Sequence, residues 1–441
     1  MSRFQGSGLI DYQAQMQARR NVLELLARGL FARPSARRDA FELFLRQRPE
    51  LARYAAFRAA TEKANCCWQN WPERQRGGEL SEDDYAPAAR DYHAFVQWLA
   101  QEQMEQLVAG MRARQVDLYL DLPLGVHPDG YDVWREQHLF ALAASVGAPP
   151  DPFFSRGQNW GFPPLHPAGL RRDRYRSLLE YLRFQMRQTG LLRIDHVMGL
   201  HRLYWVPKGL PPDQGAYVTY PAEELYALLS LESHRHRTVL VGENLGTVPP
   251  AVNSSMDRHR LRRMSVVPFE QQPDPARALR VPPRRVVASL NTHDMPTFAA
   301  HWRGRDISDR HKLGLIAKNQ VRAEQDQRRK LNAALAEFLR RQGHLHGPAT
   351  LPAVWRACLR WLSATPSEIV LLNLEDAWGE EQPQNTPGTF RERPNWRRKL
   401  SRSVEEITSD QALADFLREL RRIRSGKTPT RPSRRASGLS A

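Results

Sequence analysis

The stretch Leu191-Leu-Arg-Ile-Asp-His196 is a short, largely apolar run that ends in an acid. Its length and composition are those of a buried parallel strand. On extended chain Arg193 and Asp195 are two positions apart, so both side chains point to one face. Five other runs are built the same way: Asp117-Leu-Tyr-Leu-Asp121, Thr238-Val-Leu-Val-Gly-Glu243, Met264-Ser-Val-Val-Pro-Phe269, Arg285-Val-Val-Ala-Ser-Leu290 and Glu368-Ile-Val-Leu-Leu-Asn373. Helical stretches separate them, and this alternation predicts an α/β fold around a parallel sheet, open or closed into a barrel. Upstream, Phe41, Phe44 and Leu45, then Leu51, Tyr54 and Phe57, then Phe95, Leu99, Met104 and Leu107 carry helical spacing. Residues 1–112 are therefore expected to be mostly helical, and 113–410 to hold the strands.

Asp121, Asp195, Glu243, Asp294 and Asp376 each fall at or just past the end of such a run. In a (β/α)8 barrel the active site is assembled at that end from several strands. Acids there also cap the helices that follow, so the position alone serves either purpose.

The 441 residues, 41% apolar and 26% charged, describe an ordinary globular chain with room for a large core. No apolar core of a secretory signal opens it, and no run is long enough to span a membrane. Three cysteines, two of them adjacent at Cys66-Cys67, make no disulfide framework, and a cytoplasmic location is the expectation. The formal charge of +17 raises the question of nucleic acid. The arginines, however, are scattered and interleaved with acids, as in Arg322, Glu324, Asp326 and Arg328, which describes a solvated helix face. The end of the chain differs: from Arg418 to Arg435 it is basic with little apolar periodicity, so 411–441 is expected to be a flexible tail.

Arginine beside aspartate keeps the acid ionised, as a nucleophile requires, and the same spacing also suits a structural ion pair. A carboxyl at a buried strand end, such as Glu243, can be raised toward a general acid's pKa, or can cap or pair. His293-Asp294 offers a donor and an acceptor for sugar hydroxyls. One carboxylate to attack and one carboxylic acid to protonate the leaving oxygen are what retaining glycoside chemistry needs, about 5–5.5 Å apart. Adjacent strands, roughly 4.8 Å apart, can supply that spacing. His127, His196, His201 and His293 stand at no His-Glu-x-x-His spacing, so no metal is expected. Neither a Gly-x-Ser-x-Gly motif nor a glycine-rich phosphate loop is present. The loop Asp151-Pro-Phe-Phe-Ser-Arg-Gly-Gln-Asn-Trp-Gly-Phe-Pro-Pro164 has the aromatic faces that stack on sugars, and would equally serve as packed cover over a barrel mouth.

Taken in order, Asp121-Leu-Pro-Leu, Asp129-Gly-Tyr-Asp-Val-Trp134, the 147–164 loop, Leu192-Arg-Ile-Asp-His196, Gly242-Glu-Asn-Leu-Gly246, Thr292-His-Asp294 and Asn385-Thr-Pro-Gly388 with Asn395-Trp396 resemble the signatures of the amylomaltases. These are the 4-α-glucanotransferases of glycoside hydrolase family 77. The resemblance runs from about Leu9 to Leu400 and implies a TIM-type (β/α)8 barrel with helical insertions, a double-displacement mechanism and no cofactor. It implies Asp195 as nucleophile, Glu243 as general acid/base and Asp294 as transition-state stabiliser. Arg193, His293, Asp121, Asp151, Trp160, Asn159 and His196 would contact glucose units of a maltooligosaccharide or glycogen-type glucan.

Two departures accompany it. Asn244 stands where the family usually has an acid. The family's opening segment, with the first two barrel strands, a Trp-Gln-x-Leu-Pro stretch and a Ser-Pro-Tyr motif, has no counterpart. Six strands, numbered three to eight of the barrel, are expected, with a separately encoded N-terminal segment as a partner. A truncated, inactive glucan-binding remnant is the alternative reading.

Overall fold

The computed structural model describes residues 8–150 and 156–426. Contacts divide the chain into two compact units, one built on Asp11–Arg263 and the other on Gly8–Ile10 with Met264–Ala441. The division falls at Arg263–Met264, inside the 113–410 stretch that the sequence groups together.

The first unit opens with four long helices, Tyr12–Ala32, Ala36–Arg46, Pro49–Ala64 and Pro87–Ala113. Their starts are written locally: Asp11 accepts from the Ala14 N–H, Ser35 from the Arg38 N–H, and Pro49 and Pro87 occupy first-turn positions where no N–H is needed. Ala27, Leu30, Phe41, Ala55, Phe95 and Trp98 form their shared core. A second core gathers Phe57, Trp68, Trp71, Val133 and Trp134, so Asp129-Gly-Tyr-Asp-Val-Trp134 acts here as packing.

Seven strands follow among the described residues of this unit: β1 (Tyr119–Leu122), β2 (Ala144–Ala148), β3 (Gln158–Asn159), β4 (Leu191–Ile194), β5 (Arg202–Pro207), β6 (Ala216–Thr219) and β7 (Val239–Gly242). β1, β4 and β7 lie side by side and parallel, with Asp121 opposite Arg193 and Arg193 opposite Val241. Leu192, Ile194 and Leu240 pack with Leu182, Met186, Tyr226 and Leu229 of the helices Arg176–Met186 and Ala222–His236. Strand alternation therefore turns Asp121 and Arg193 to the opposite face. β3-β2-β5-β6 form an antiparallel sheet that the run-by-run reading did not foresee. Gly147 admits it: a Cβ there would stand 2.1 Å from the Gln158 carbonyl oxygen.

The second unit holds β8 (Arg263–Val266), β9 (Val286–Ser289) and β10 (Ile369–Leu371) in the order β10-β9-β8, with β9 and β10 parallel. All six expected runs are thus strands. Val286, Ala288 and Leu290 bury against the helices Lys318–Arg341, Leu351–Ala364 and Gln411–Arg424. The last helix corrects the expectation of a tail beginning at 411. Leu413, Phe416 and Leu420 recur at helical spacing and are buried, while arginines fill the other positions and mask the pattern. Residues 427–441 lie outside the described residues.

Candidate active site

Asp195 and Glu243 each sit one residue past a parallel strand. The ladder continues through them: the Asp195 N–H donates to the Leu122 carbonyl at 3.1 Å and the Glu243 N–H to the Ile194 carbonyl at 3.0 Å. The two acids are consequently fixed at equivalent levels on neighbouring strands. Gly242 leaves room for this approach, since a Cβ would lie 2.7 Å from Met256 Cε and 2.9 Å from Val197 Cγ2.

Arg193 is 8% exposed and serves two carboxylates at once. Its Nη1 lies 2.8 and 2.6 Å from the Asp121 oxygens and 2.8 Å from Asp195 Oδ1. Burial works against its charge, but the Asp121 hydrogen bond and the charges of Asp121, Asp195 and Glu243 outweigh it and hold its pKa above the ordinary arginine value.

Glu243 is set apart by its surroundings. Burial raises its pKa and the nearby Asp195 charge adds to that, while the Leu245 and His196 N–H groups and Arg193 pull the other way; the net shift is upward. Its Oε1 accepts from the Leu245 N–H at 2.9 Å and its Oε2 from the His196 N–H at 3.0 Å. His196 makes that contact from left-handed backbone, φ 45°. Burial lowers the His196 pKa, with Asp195 opposing, so the imidazole is neutral at neutral pH. Its ring meets Trp160 edge-on at 5.4 Å, and Trp160 in turn stacks with Phe162 at 6.3 Å. Asn159 is exposed and accepts the Gly161 N–H at 2.9 Å. Asp151 lies outside the described residues. Asn244 donates to Asn253 Oδ1 at 2.9 Å, so the side chain that replaces the family's acid is tied to the helix Pro250–Arg258.

His293 and Asp294 form a second group, in the other unit. Asp294 Oδ1 accepts from Asn385 Nδ2 at 2.6 Å, and its Oδ2 lies 3.2 Å from His293 Nε2. The His293 ring is 5.7 Å from Trp396. Asn395 closes the loop that carries these partners, accepting the Thr386 N–H at 3.1 Å and donating to Thr389 Oγ1 at 3.0 Å. Asn385 and Trp396 were legible as motif letters, but nothing in a single sequence assigned them to His293-Asp294. Asp376, the fifth strand-end acid, is structural: 5% exposed, it accepts the Phe298 N–H at 2.8 Å and Asn291 Nδ2 at 2.9 Å. Among the described residues no cluster of three or more His, Cys, Asp or Glu could hold a metal ion, and no helix is long and apolar enough to cross a membrane.

A family model described as 4-alpha-glucanotransferase, glycoside hydrolase family 77, matches residues 2–405. The chain belongs to that family. The 4-alpha-glucanotransferase of Mycobacterium tuberculosis is 36% identical over 437 residues, covering 93% of this chain and 59% of its own length. That of Haemophilus influenzae is 34% identical over 344 residues, covering 76% and 49%. Among solved structures, the amylomaltase from Corynebacterium glutamicum superposes with a TM-score of 0.79 at 27% identity, covering 94% of this chain and 60% of that one. The Streptococcus agalactiae amylomaltase, solved with acarbose, gives 0.77 at 20% identity, covering 95% and 80%, and supports the fold alone. This glycoside hydrolase family 77 chain thus spans about 60% of the length of the mycobacterial and corynebacterial relatives.

Proposed function

We propose that the protein is a 4-α-glucanotransferase that moves α-1,4-glucan segments between maltooligosaccharides or glycogen- and starch-type glucans, with retention at the anomeric carbon. In this reading Asp195 attacks that carbon while Glu243 gives its proton to the departing glycosidic oxygen, so one C–O bond forms as another breaks. Glu243, now a carboxylate, takes the proton of the acceptor's 4-hydroxyl, which attacks the anomeric carbon and releases Asp195. Asp294 stabilises the oxocarbenium-like transition state, and Arg193, His293, Asp121, Asp151, Trp160, Asn159 and His196 hold the sugars.

The observation that carries the reading is the contrast between two neighbouring acids. Asp195 makes an ion pair with a buried arginine, and Glu243 is buried in surroundings that raise its pKa. Environments that set two carboxyls apart assign base and acid. The parallel strands support a (β/α)8 barrel as the finer architecture, and three free cysteines fit a cytoplasmic site of action.

Incubation with maltotriose tests this. Glucose together with a ladder of longer maltodextrins is the expected product pattern. Glucose and maltose with nothing longer would make the protein a hydrolase, and maltotriose binding without turnover would make it a binding remnant; either overturns the proposal.

A further inference from the structure

The second unit contains a cavity of about 310 Å3 that no sugar chemistry explains. Leu359 and Ser363 of the helix Leu351–Ala364, Val370 of β10, and Leu420, Arg421 and Arg424 of the helix Gln411–Arg424 line it, with Leu417 at its edge. A glucose ring needs several hydrogen-bond partners, and these walls are almost entirely aliphatic. Two polar features interrupt them.

The first is Ser363. It is 3% exposed, and its hydroxyl has no hydrogen-bond partner among the described residues. An unpaired buried hydroxyl costs stability, and a ligand acceptor placed against it would recover that cost. The second is a pair of exposed arginines that make no ion pair among the described residues. The helix's acids are already engaged, Asp415 with Arg418 and Glu419 with Arg360. Arg421 has no ion-pair partner among the described residues, whereas Arg424 donates Nη2 to the Ser367 and Glu368 carbonyls at 2.9 and 2.8 Å. Those carbonyl contacts anchor Arg424 beside the cavity without cancelling its charge.

An aliphatic pocket with one free hydroxyl and two uncompensated guanidinium groups matches an apolar body bearing a single anionic head. We propose that this cavity binds a small amphiphilic carboxylate, its aliphatic chain between Leu359, Val370 and Leu420 and its carboxylate at Arg421. The volume is at the small end of ligand pockets, about 300–1,000 Å3, so a medium-length chain is the fitting size. Because the walls cannot recognise a sugar, the proposal stands independently of the transferase reading.

Calorimetric titration of the full chain with octanoate, octanol and octylammonium tests it. Octanoate binds saturably at one site, octylammonium at least about tenfold more weakly, and saturating maltotriose leaves octanoate binding unchanged. Arg421→Ala, at an exposed position that leaves the thermal transition in place, weakens octanoate about tenfold and leaves octanol unchanged. Leu417→Trp narrows the cavity and weakens both. No saturable octanoate binding, equal affinity for octanoate and octylammonium, competition by maltotriose, or an Arg421→Ala protein with wild-type octanoate affinity would each overturn the assignment.

Discussion

His196 donates its backbone N–H to Glu243 Oε2 at 3.0 Å, and it does so from a left-handed conformation that non-glycine residues rarely adopt. The turn between Asp195 and Val197 therefore positions the neighbouring strand's acid through main chain, while its imidazole meets Trp160. One residue has two separable roles.

Substitution at this position separates them. His196→Gly keeps the left-handed backbone and its N–H and removes the ring, so folding stability stays near wild type while the Michaelis constant for maltotriose rises. His196→Val places a β-branched residue in left-handed space, at an added cost of about 1–2 kcal/mol. Urea denaturation of the two variants checks the difference, and equal stabilities would remove the backbone role.

Glu243 predicts the alkaline side of the activity profile. Its pKa is raised by burial, so the protonated acid needed at the first step persists above the usual glutamate range, about 4.3, and is lost as pH rises through the folded value. The basic limb of kcat/KM should follow that loss. Glu243→Gln should abolish transfer to natural glucans and remove the limb from any residual activity on a donor with a good leaving group.

Arg193 holds Asp121 and Asp195 through one nitrogen, so its removal leaves two carboxylates facing each other without a counter-charge. Arg193→Met is expected to lower kcat/KM by about 10²-fold or more, with Arg193→Lys intermediate, because an ammonium on a flexible stem carries the charge but is not held in one place between the two acids. Steady-state kinetics on maltotriose checks the order, and a lysine variant with full activity would contradict it.

Asp376 makes a prediction about stability. Burial pushes its pKa up to about 6, with the Phe298 and Asn291 hydrogen bonds opposing. A raised carboxyl favours folding most when protonated. Its contribution is therefore complete below the unfolded value, about 3.9, and declines as pH rises through about 6, by up to about 3 kcal/mol. Asp376→Asn should flatten the denaturation midpoint over pH 4–6 relative to wild type, and parallel slopes would show that other groups govern this window.

The six strands were legible because each is a short, mostly apolar run, and four of them, β4, β7, β8 and β9, are largely buried, as strands that read as continuous apolar sequence are. Asp195, Arg193 and Glu243 followed from strand periodicity and from where the runs end. The antiparallel sheet was not legible: Ala144-Ser-Val-Gly-Ala148 is small and mixed, and what makes it a strand is the close approach of Gln158 across Gly147. The helix Gln411–Arg424 was hidden for the opposite reason, since its four arginines dominate its composition while three buried side chains decide its structure. Asp376 shows the limit of position as a guide. It lies in the short helix Leu374–Trp378 that follows β10, and its oxygens are spent on a helix start and an asparagine.

Leu9 pairs with Arg398 in an antiparallel bridge, the Ile10 N–H donates to the Arg397 carbonyl at 2.6 Å, and Arg397 Nε donates back to the Ile10 carbonyl across 387 residues of sequence. Trp396, the ring beside His293, is the next residue along. On a growing chain Leu9 waits without its partner until residue 398 has been made, and closing so long a loop carries an entropic cost that local contacts avoid. The contact between the His293 and Trp396 rings therefore cannot form until residue 396 has been made.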